Sequence, residues 1–524
     1  MLRHLSIWVW HGWQPLWCAD ARKAIPMPTE SKKILIIGGG IAGLSAAVYA
    51  RQCGYQAEVI EMNDVPGGLA MSWRRGVYTF ETCLHWLAGS RSGAEFHNYW
   101  QELFDVSELR FVDHDEMVRI ETEKGDSLSV STDLTRLEAT LLERSPADAT
   151  AIRAFIADAR RLAGFRMFLS DQSWAANTAV LLHDLPILPT LGRLNKVTCE
   201  QYGARFQDPL LRAFFGSGQL ARLSAIALVW SLAWMSDRNA GYAIGGSQSI
   251  IRPIERRIKE LGGTIRYGAR VERILVEDGA AVGVQLASGE TLRGDWVISA
   301  ADGHTTLSEM LGGAFTSPRL NAAYEKNPLF PSYLQVSLGV AMDLGNLPHH
   351  LTRILDSALF VDPETTLDQL AFRIFHFDPT FAPPGKTAVT CFLPTSNYAY
   401  WRDLRKNDFL AYGSEKHRVS EAVIEVLQRR VPGLRTAVET VDVSTPATVL
   451  RYTGNWKGSM EGWLLAPGVG LSSLPTKLPG LRRFRMVGQW VSPGGGLPCG
   501  PITARSALKE ICREDHVPFT SGKP

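Results

Sequence analysis

The sequence has no cysteine framework. Its seven cysteines, Cys18, Cys53, Cys83, Cys199, Cys391, Cys499 and Cys512, are scattered, odd in number and free of any CxxC or Cys/His spacing. That pattern excludes a disulfide scaffold and a structural zinc site, no metal ligand set is predicted, and a reducing, cytoplasmic setting is expected. Excess charge of one sign is also missing: 55 basic against 53 acidic residues leave a net charge of +2, so no field recruits a nucleic acid. A membrane-spanning run is lacking as well. The longest charge-free stretch of the apolar middle, Leu223 to Ser236 between Arg222 and Asp237, falls short of the roughly 20 residues a bilayer requires. Nor is there an internal repeat or a low-complexity linker.

The first thirty residues stand apart from the rest of the chain. Met1 to Ala24 carries Arg3 and four tryptophans, Trp8, Trp10, Trp13 and Trp17, but His11, Gly12, Gln14 and Pro15 interrupt the apolar core that a signal peptide needs. The expectation is a mis-assigned start with Met27 as the real one, or a disordered or membrane-touching arm.

The composition that remains, 45% hydrophobic and 21% charged over 524 residues, is that of an enzyme with two connected domains. From Lys33 the chain reads as strand (KILII), glycine turn (Gly38 to Gly43), helix (LSAAVYARQC) and strand (AEVIE), with Gly54 at the helix stop. This is the opening of a βαβ unit. The turn Gly38-x-Gly40-x-x-Gly43, with Ile41 and Ala42 between its last glycines, presents backbone amides and a positive helix end to a pyrophosphate. Glu61, 18 residues beyond Gly43 at the end of the second strand, is placed to accept hydrogen bonds from an adenosine ribose. A second glycine pair, Gly67-Gly68 after Pro66, lets another loop cross close to the diphosphate, as a long and permanently bound dinucleotide requires. That distinguishes FAD from NAD.

Three blocks, GGGIAGLSAAVYA, PGGLAMSW and GVYTFETCLHWLAGS, resemble the amino-terminal region of phytoene desaturase and carotenoid isomerase-like flavoproteins, within the amine oxidase-like FAD superfamily. The likeness resumes at Ala243 to Ser247, at ARVERILVEDGAAVGVQLASG, at TPATVLRYTGNWKGSMEGWLL and at MVGQWVSPGGGLP. Two positions depart from it: Leu69 stands where many desaturases have Arg, and Glu81 where their FDTG-like stretch has Asp. These mark a side branch. The resemblance implies an α/β fold, a Rossmann-like FAD domain interleaved with a mixed α+β substrate or cap domain. It assigns residues 31–105, 241–310 and 441–520 to the first and 106–240 and 311–440 to the second, after an extension over 1–30.

The resemblance further implies that Gly38, Gly40, Gly43, Glu61, Gly67 and Gly68 line the adenosine and diphosphate, and that Val271 offers its backbone to the adenine. Gly488 would approach the diphosphate and ribityl chain, while Pro493, Gly494, Gly495 and Gly496 bring a loop and a helix N-terminus toward the flavin pyrimidine, where negative charge on the reduced ring is stabilised. His85 is the candidate polar group beside the isoalloxazine, or else a core histidine donating to a carbonyl. Trp86, Gln489 and Trp490 wall the flavin or substrate, or simply pack. No conspicuous acid/base pair is expected, because hydride transfer needs chiefly a dry pocket.

In the remaining segments, IIRPIERRIKEL sets Ile250, Ile251, Ile254, Ile258 and Leu261 on one helical face before Gly262-Gly263. Turns at Asp278-Gly279 and Ser288-Gly289 predict a β-meander ending in WVISAAD, and RRFRMVGQWVSPGGGLPCGPITARSALKEIC reads as strand, glycine loop and helix. The apolar stretch Gly164 to Leu191 is expected either to touch a membrane surface or to form a buried helix pair. The function implied is desaturation, saturation or isomerisation of an apolar polyene or terpenoid. A flavin amine oxidase and a non-catalytic prenyl-binding carrier of the same fold are the alternatives.

Overall fold

Four apolar strands that read almost without polar interruption, KILII, AEVI, WVIS and FRM, are the kind of sequence that a parallel sheet covered on both faces demands. The computed structural model describes residues 31–522 apart from 95, 166–173, 217–219 and 471–472. The predicted amino-terminal extension, with Cys18 and Met27, and part of the apolar stretch after Gly164 lie outside the described residues. Strands β1 (Lys33–Ile37), β2 (Gln56–Ile60), β3 (Thr264–Arg266), β4 (Trp296–Ser299) and β5 (Phe484–Met486) form one sheet in the order β3-β2-β1-β4-β5. Every pairing in it is parallel, with Ile34 between Ala57 and Trp296.

Helices α1 (Ile41–Gln52), α2 (Ser247–Glu260) and α3 (Cys499–Glu514) pack in this layer, α1 against both others. The predicted face of α2 is buried: Ile250, Ile251, Ile254 and Ile258 are at most 1% exposed, each worth about 1.5–3 kcal/mol of transfer. Leu261 caps the helix, partly buried, and Gly262 turns the chain at a φ of +76°.

The meander ends a strand earlier than its sequence suggests. Val271–Glu277, Ala280–Leu286 and Thr291–Arg293 form a three-stranded antiparallel sheet, whereas Trp296–Ser299 leaves it to pair with β1 and β5. All four residues of WVIS are buried. A strand buried on both faces belongs inside a parallel sheet, not at the edge of a hairpin array.

A second layer is a seven-stranded sheet. Its order is Val438–Ser444, Ser332–Val340, Thr387–Thr395, Thr365–Ile374, His350–Asp362, Glu116–Thr122 and Ser127–Ser131. Only the pairing of His350–Asp362 with Glu116–Thr122 is parallel. Between its strands in sequence lie the helices Ala149–Ala163 and Ala225–Ser236, packed on each other around a core that includes Phe155, Tyr202 and Phe215. The second of these helices is the charge-free run of the sequence. Among the described residues no helix is long and apolar enough to cross a membrane.

Candidate active site

The sheet order reverses direction between β1 and β4, and a crevice opens at that point beyond the carboxyl ends of the strands. Ile37, Ile60, Ala300 and Val487, each at or just past a strand end, line a cleft of about 1250 Å3, its open mouth included.

The first wall is the turn from β1 into α1. Gly38 has a φ of +96°, and a Cβ on Gly43 would sit 1.9 Å from the Gly38 carbonyl oxygen, so only glycine lets helix and strand lie this close. Gly40, Ile41 and Ala42 line the cleft, while Gly43 stands behind them. No side chain caps α1 at Gly40, so the first-turn amides and the positive end of the helix face the cleft. Glu61 closes one end. Its Oε2 accepts from the Gly39 amide at 2.6 Å and its Oε1 from the backbone and side chain of Asn63 at 2.9 and 2.8 Å. Two carboxylate oxygens offer about four acceptor positions, of which these contacts use three, so one remains for a ribose hydroxyl.

The second glycine pair crosses over the first. The Gly67 amide donates to the Gly39 carbonyl at 2.9 Å, and a Cβ on Gly68 would stand 3.3 Å from Gly40 Cα. Leu69 and Ala70 continue the wall, and across the cleft the meander brings Val271 and the exposed Arg270. Glu81 lies deeper than the cleft, 1% exposed. It accepts from Ser72 Oγ, the amides of Cys83 and Leu84, and both the amide and hydroxyl of Ser247. The departure from Asp thus holds three chain segments together.

The third wall is carboxyl-terminal. Gly488, at a φ of +97°, donates its amide to Thr503 Oγ1 at 2.8 Å, and a Cβ there would press on Ala42. Gln489 and Trp490 line the cleft next to it, and Trp490 Nε1 is a buried donor with no partner among the described residues. Gly494, Gly495 and Gly496 all have positive φ and turn the chain into α3. Gly496 lines the cleft; Pro493, Gly494 and Gly495 do not, and Gly495 abuts the backbone and Cβ of Glu461.

Two carboxyl groups that sequence reasoning missed also line the cleft. Burial pushes Asp302 up to about 6 even though it accepts the amides of Thr305 and Trp456. Glu461 makes no hydrogen bond or ion pair among the described residues, and burial raises it to about 7. Burial and this neighbour push the Cys499 thiol up to about 12, and Cys83 rises for the same reasons, so neither is a thiolate at neutral pH. No local signal marks Glu461 in sequence: it is a lone acid in a glycine- and tryptophan-rich loop.

His85 is not brought to the cleft. Cys83 lines it, but two residues later His85 and Trp86 line a separate cavity with His114, His349, His350 and Arg373.

Uncapped helix amides, glycines where a side chain would fill the channel, a carboxylate at one end and an unpartnered buried indole donor are a donor set that fits FAD. Comparison with known proteins agrees. Residues 41–413 match the family described as flavin containing amine oxidoreductase. The chain is 26% identical over 516 residues to a phytoene desaturase (neurosporene-forming) of Cereibacter sphaeroides, covering 93% of this chain and 96% of that one. It is 24% identical over 493 residues to a chloroplastic prolycopene isomerase of Daucus carota, covering 88% and 77%. Among solved structures, a redesigned putrescine oxidase superposes with a TM-score of 0.61 at 13% identity over 92% of this chain and 99% of that one. Cyclohexylamine oxidase from Brevibacterium oxydans gives 0.58 at 15% identity, covering 93% and 100%. The chain belongs to the flavin containing amine oxidoreductase family, as an FAD-dependent oxidoreductase.

Proposed function

We propose that the protein desaturates, saturates or isomerises an apolar polyene or terpenoid of carotenoid type. One observation carries the reading: three glycine-bearing segments far apart in sequence, around Gly40, Gly67 and Gly488, line a single cleft at the switch point of the parallel sheet. The names of the curated relatives, carotenoid desaturases and isomerases over most of the chain, supply the substrate class.

In this reading Gly38, Gly40, Ile41, Ala42, Gly67 and Gly68 hold the diphosphate through backbone and helix end, and Gly43 permits the turn. Glu61 takes the adenosine ribose and Val271 the adenine. Gly488 and Gly496 lie along the ribityl and pyrimidine part, with Pro493, Gly494 and Gly495 behind the lining. Bound FAD supplies a two-electron acceptor or donor. The remaining work belongs to the chain. Trp490 and Gln489 wall the reacting region against water, and Glu461, raised by burial to about 7, is poised near neutral pH to give a proton to a polyene carbon or take one from it. The parallel-sheet layer serves the dinucleotide, and the seven-stranded sheet with the helices between 134 and 236 serves the substrate.

Access for such a substrate is from a lipid surface. Leu181, Leu182, Leu185 and Leu188 are 40–63% exposed on adjoining turns, an apolar patch that single scattered surface residues do not make. The protein works from the cytoplasm against that surface.

The test is anaerobic. Purified protein with flavin absorbance near about 450 nm is mixed with phytoene, lycopene precursors and retinoids in detergent. The reading requires bleaching or a changed product with a polyene. A yellow protein that turns over amines with peroxide release and ignores every polyene contradicts it.

A further inference from the structure

The second cavity, about 490 Å3 with its open mouth included, holds a cation without a counter-ion. Arg373, on the strand Thr365–Ile374, pairs through its backbone with His350 and Thr390, while its guanidinium lines the cavity with no ion pair or side-chain hydrogen bond among the described residues. The two acids nearby do not answer it. Glu116 is occupied by Arg119 through hydrogen bonds of 3.0 and 2.9 Å, and Asp113 is exposed at the rim. Burial lowers the Arg373 guanidinium to about 9, still protonated at neutral pH.

Around the guanidinium stand His85, His114, His349 and His350. Burial first, and the charge of Arg373 after it, hold His85 and His350 well below the ordinary histidine range. His114 lies at about 4, and His349 is lower still through burial and its neighbouring imidazoles. All four are therefore neutral and add donors and acceptors without adding charge. His85 Nδ1 and His114 Nε2 are buried with no partner among the described residues. No group of three or more His, Cys, Asp or Glu among the described residues is placed to hold a metal ion. Trp86, Met117, Met235 and Ala240 add an apolar part to the same lining.

Arg373 is partly buried, keeps its proton and has no carboxylate among the described residues paired to it, so its guanidinium is free to take an anion from outside. A planar fork of donors matches a carboxylate, and the apolar part of the lining suits a hydrocarbon chain. We propose that this cavity is a receptor for the carboxylate end of an amphipathic polyene or terpenoid acid, held by Arg373 with His85 and His114 completing its hydrogen bonds. The stacked rings of His114 and His349, 3.5 Å apart, stand between this cavity and an outer recess beside Asn346 and His376, so both rings line both spaces. The proposal rests on the polyene reading of the neighbouring cleft, and it adds to that class a preference for members that carry a carboxylate.

Binding to the flavin-loaded protein tests it, with all-trans-retinoic acid, its methyl ester, acetate and inorganic phosphate as probes and tryptophan fluorescence as the readout. The acid is expected to bind about tenfold or more tighter than the ester, and acetate and phosphate to bind weakly and not displace it. Arg373→Gln should remove the acid's advantage while leaving ester binding and flavin content unchanged, and Arg373→Lys should restore part of it. Equal binding of acid and ester to the unaltered protein overturns the proposal, whatever the variants do. So does an equal loss of both ligands in Arg373→Gln, or phosphate competing as well as the acid. Flavin absorbance in the same samples keeps the two readings apart: yellow protein indifferent to the carboxylate sinks the receptor alone, and colourless protein that still prefers the acid sinks the flavoenzyme reading alone.

Discussion

Ser247 gives both its backbone amide and its hydroxyl to the buried carboxylate of Glu81, at 2.8 and 2.6 Å. The contact ties the N-terminus of helix α2 to the strand Tyr78–Glu81, whose continuation carries Cys83 into the cleft and His85 into the cavity beyond. Five donors converge on this one group, so Glu81→Gln, which keeps the shape but loses acceptor capacity, should cost about 2–4 kcal/mol in denaturant unfolding. An unchanged midpoint would show the network to be incidental.

Gly43→Ala sets two effects against each other. Alanine favours a helix over glycine by about 1 kcal/mol, but here its Cβ would stand 1.9 Å from the Gly38 carbonyl, a backbone atom that cannot swing away. Overpacking wins, with an expected net loss of about 1–3 kcal/mol and poor retention of flavin through purification. A variant that is as yellow and as stable as the parent would refute the close-approach role.

How much of the fold and the site is legible in the sequence depends on the range of each interaction. The turn Gly38 to Gly43, the stop at Gly54 and the isoleucine face of α2 are set by neighbours within a few residues, and they stand where sequence pattern puts them. WVIS is misplaced by pattern because nothing local distinguishes a fourth meander strand from a strand that pairs with Lys33–Ile37. His85 and Glu461 show the same limit at the site. Which side of the segment Cys83 to Trp86 faces which cavity depends on strands near Arg373 and on the loop at Gly495, both distant in the chain. Arg373 itself reads as an ordinary polar residue in an alternating strand until its surroundings are assembled.

Glu461 gives the protein a pH dependence of definite sign. Its carboxyl is raised by burial from 4.5 to about 7, so the folded state binds the proton more tightly than the unfolded one between those values. Stability should therefore be highest at the acid end of that window and fall as pH rises through it, by up to about 3 kcal/mol, and Glu461→Gln should flatten the fall. Unfolding curves taken from pH 5 to about 8 decide it. A variant with the parent's slope would mean that another group is responsible.

The leucine patch predicts a separable membrane contact. Leu182→Asp with Leu185→Asp, at positions 63% and 52% exposed, should change stability by no more than about 0.5 kcal/mol. The pair should nonetheless abolish most co-sedimentation with phospholipid vesicles. Equal sedimentation of parent and variant would remove the patch from the account.

The most direct measurement is a titration of FAD into flavin-depleted protein, with release and quantification of the dinucleotide at saturation. One FAD per chain is expected, bound with a Kd of about 1 μM or tighter, with a marked weakening when Gly68→Val blocks the crossing of the two glycine loops. A well-folded chain, with a sharp unfolding transition, that is colourless as isolated and takes up no FAD would contradict it.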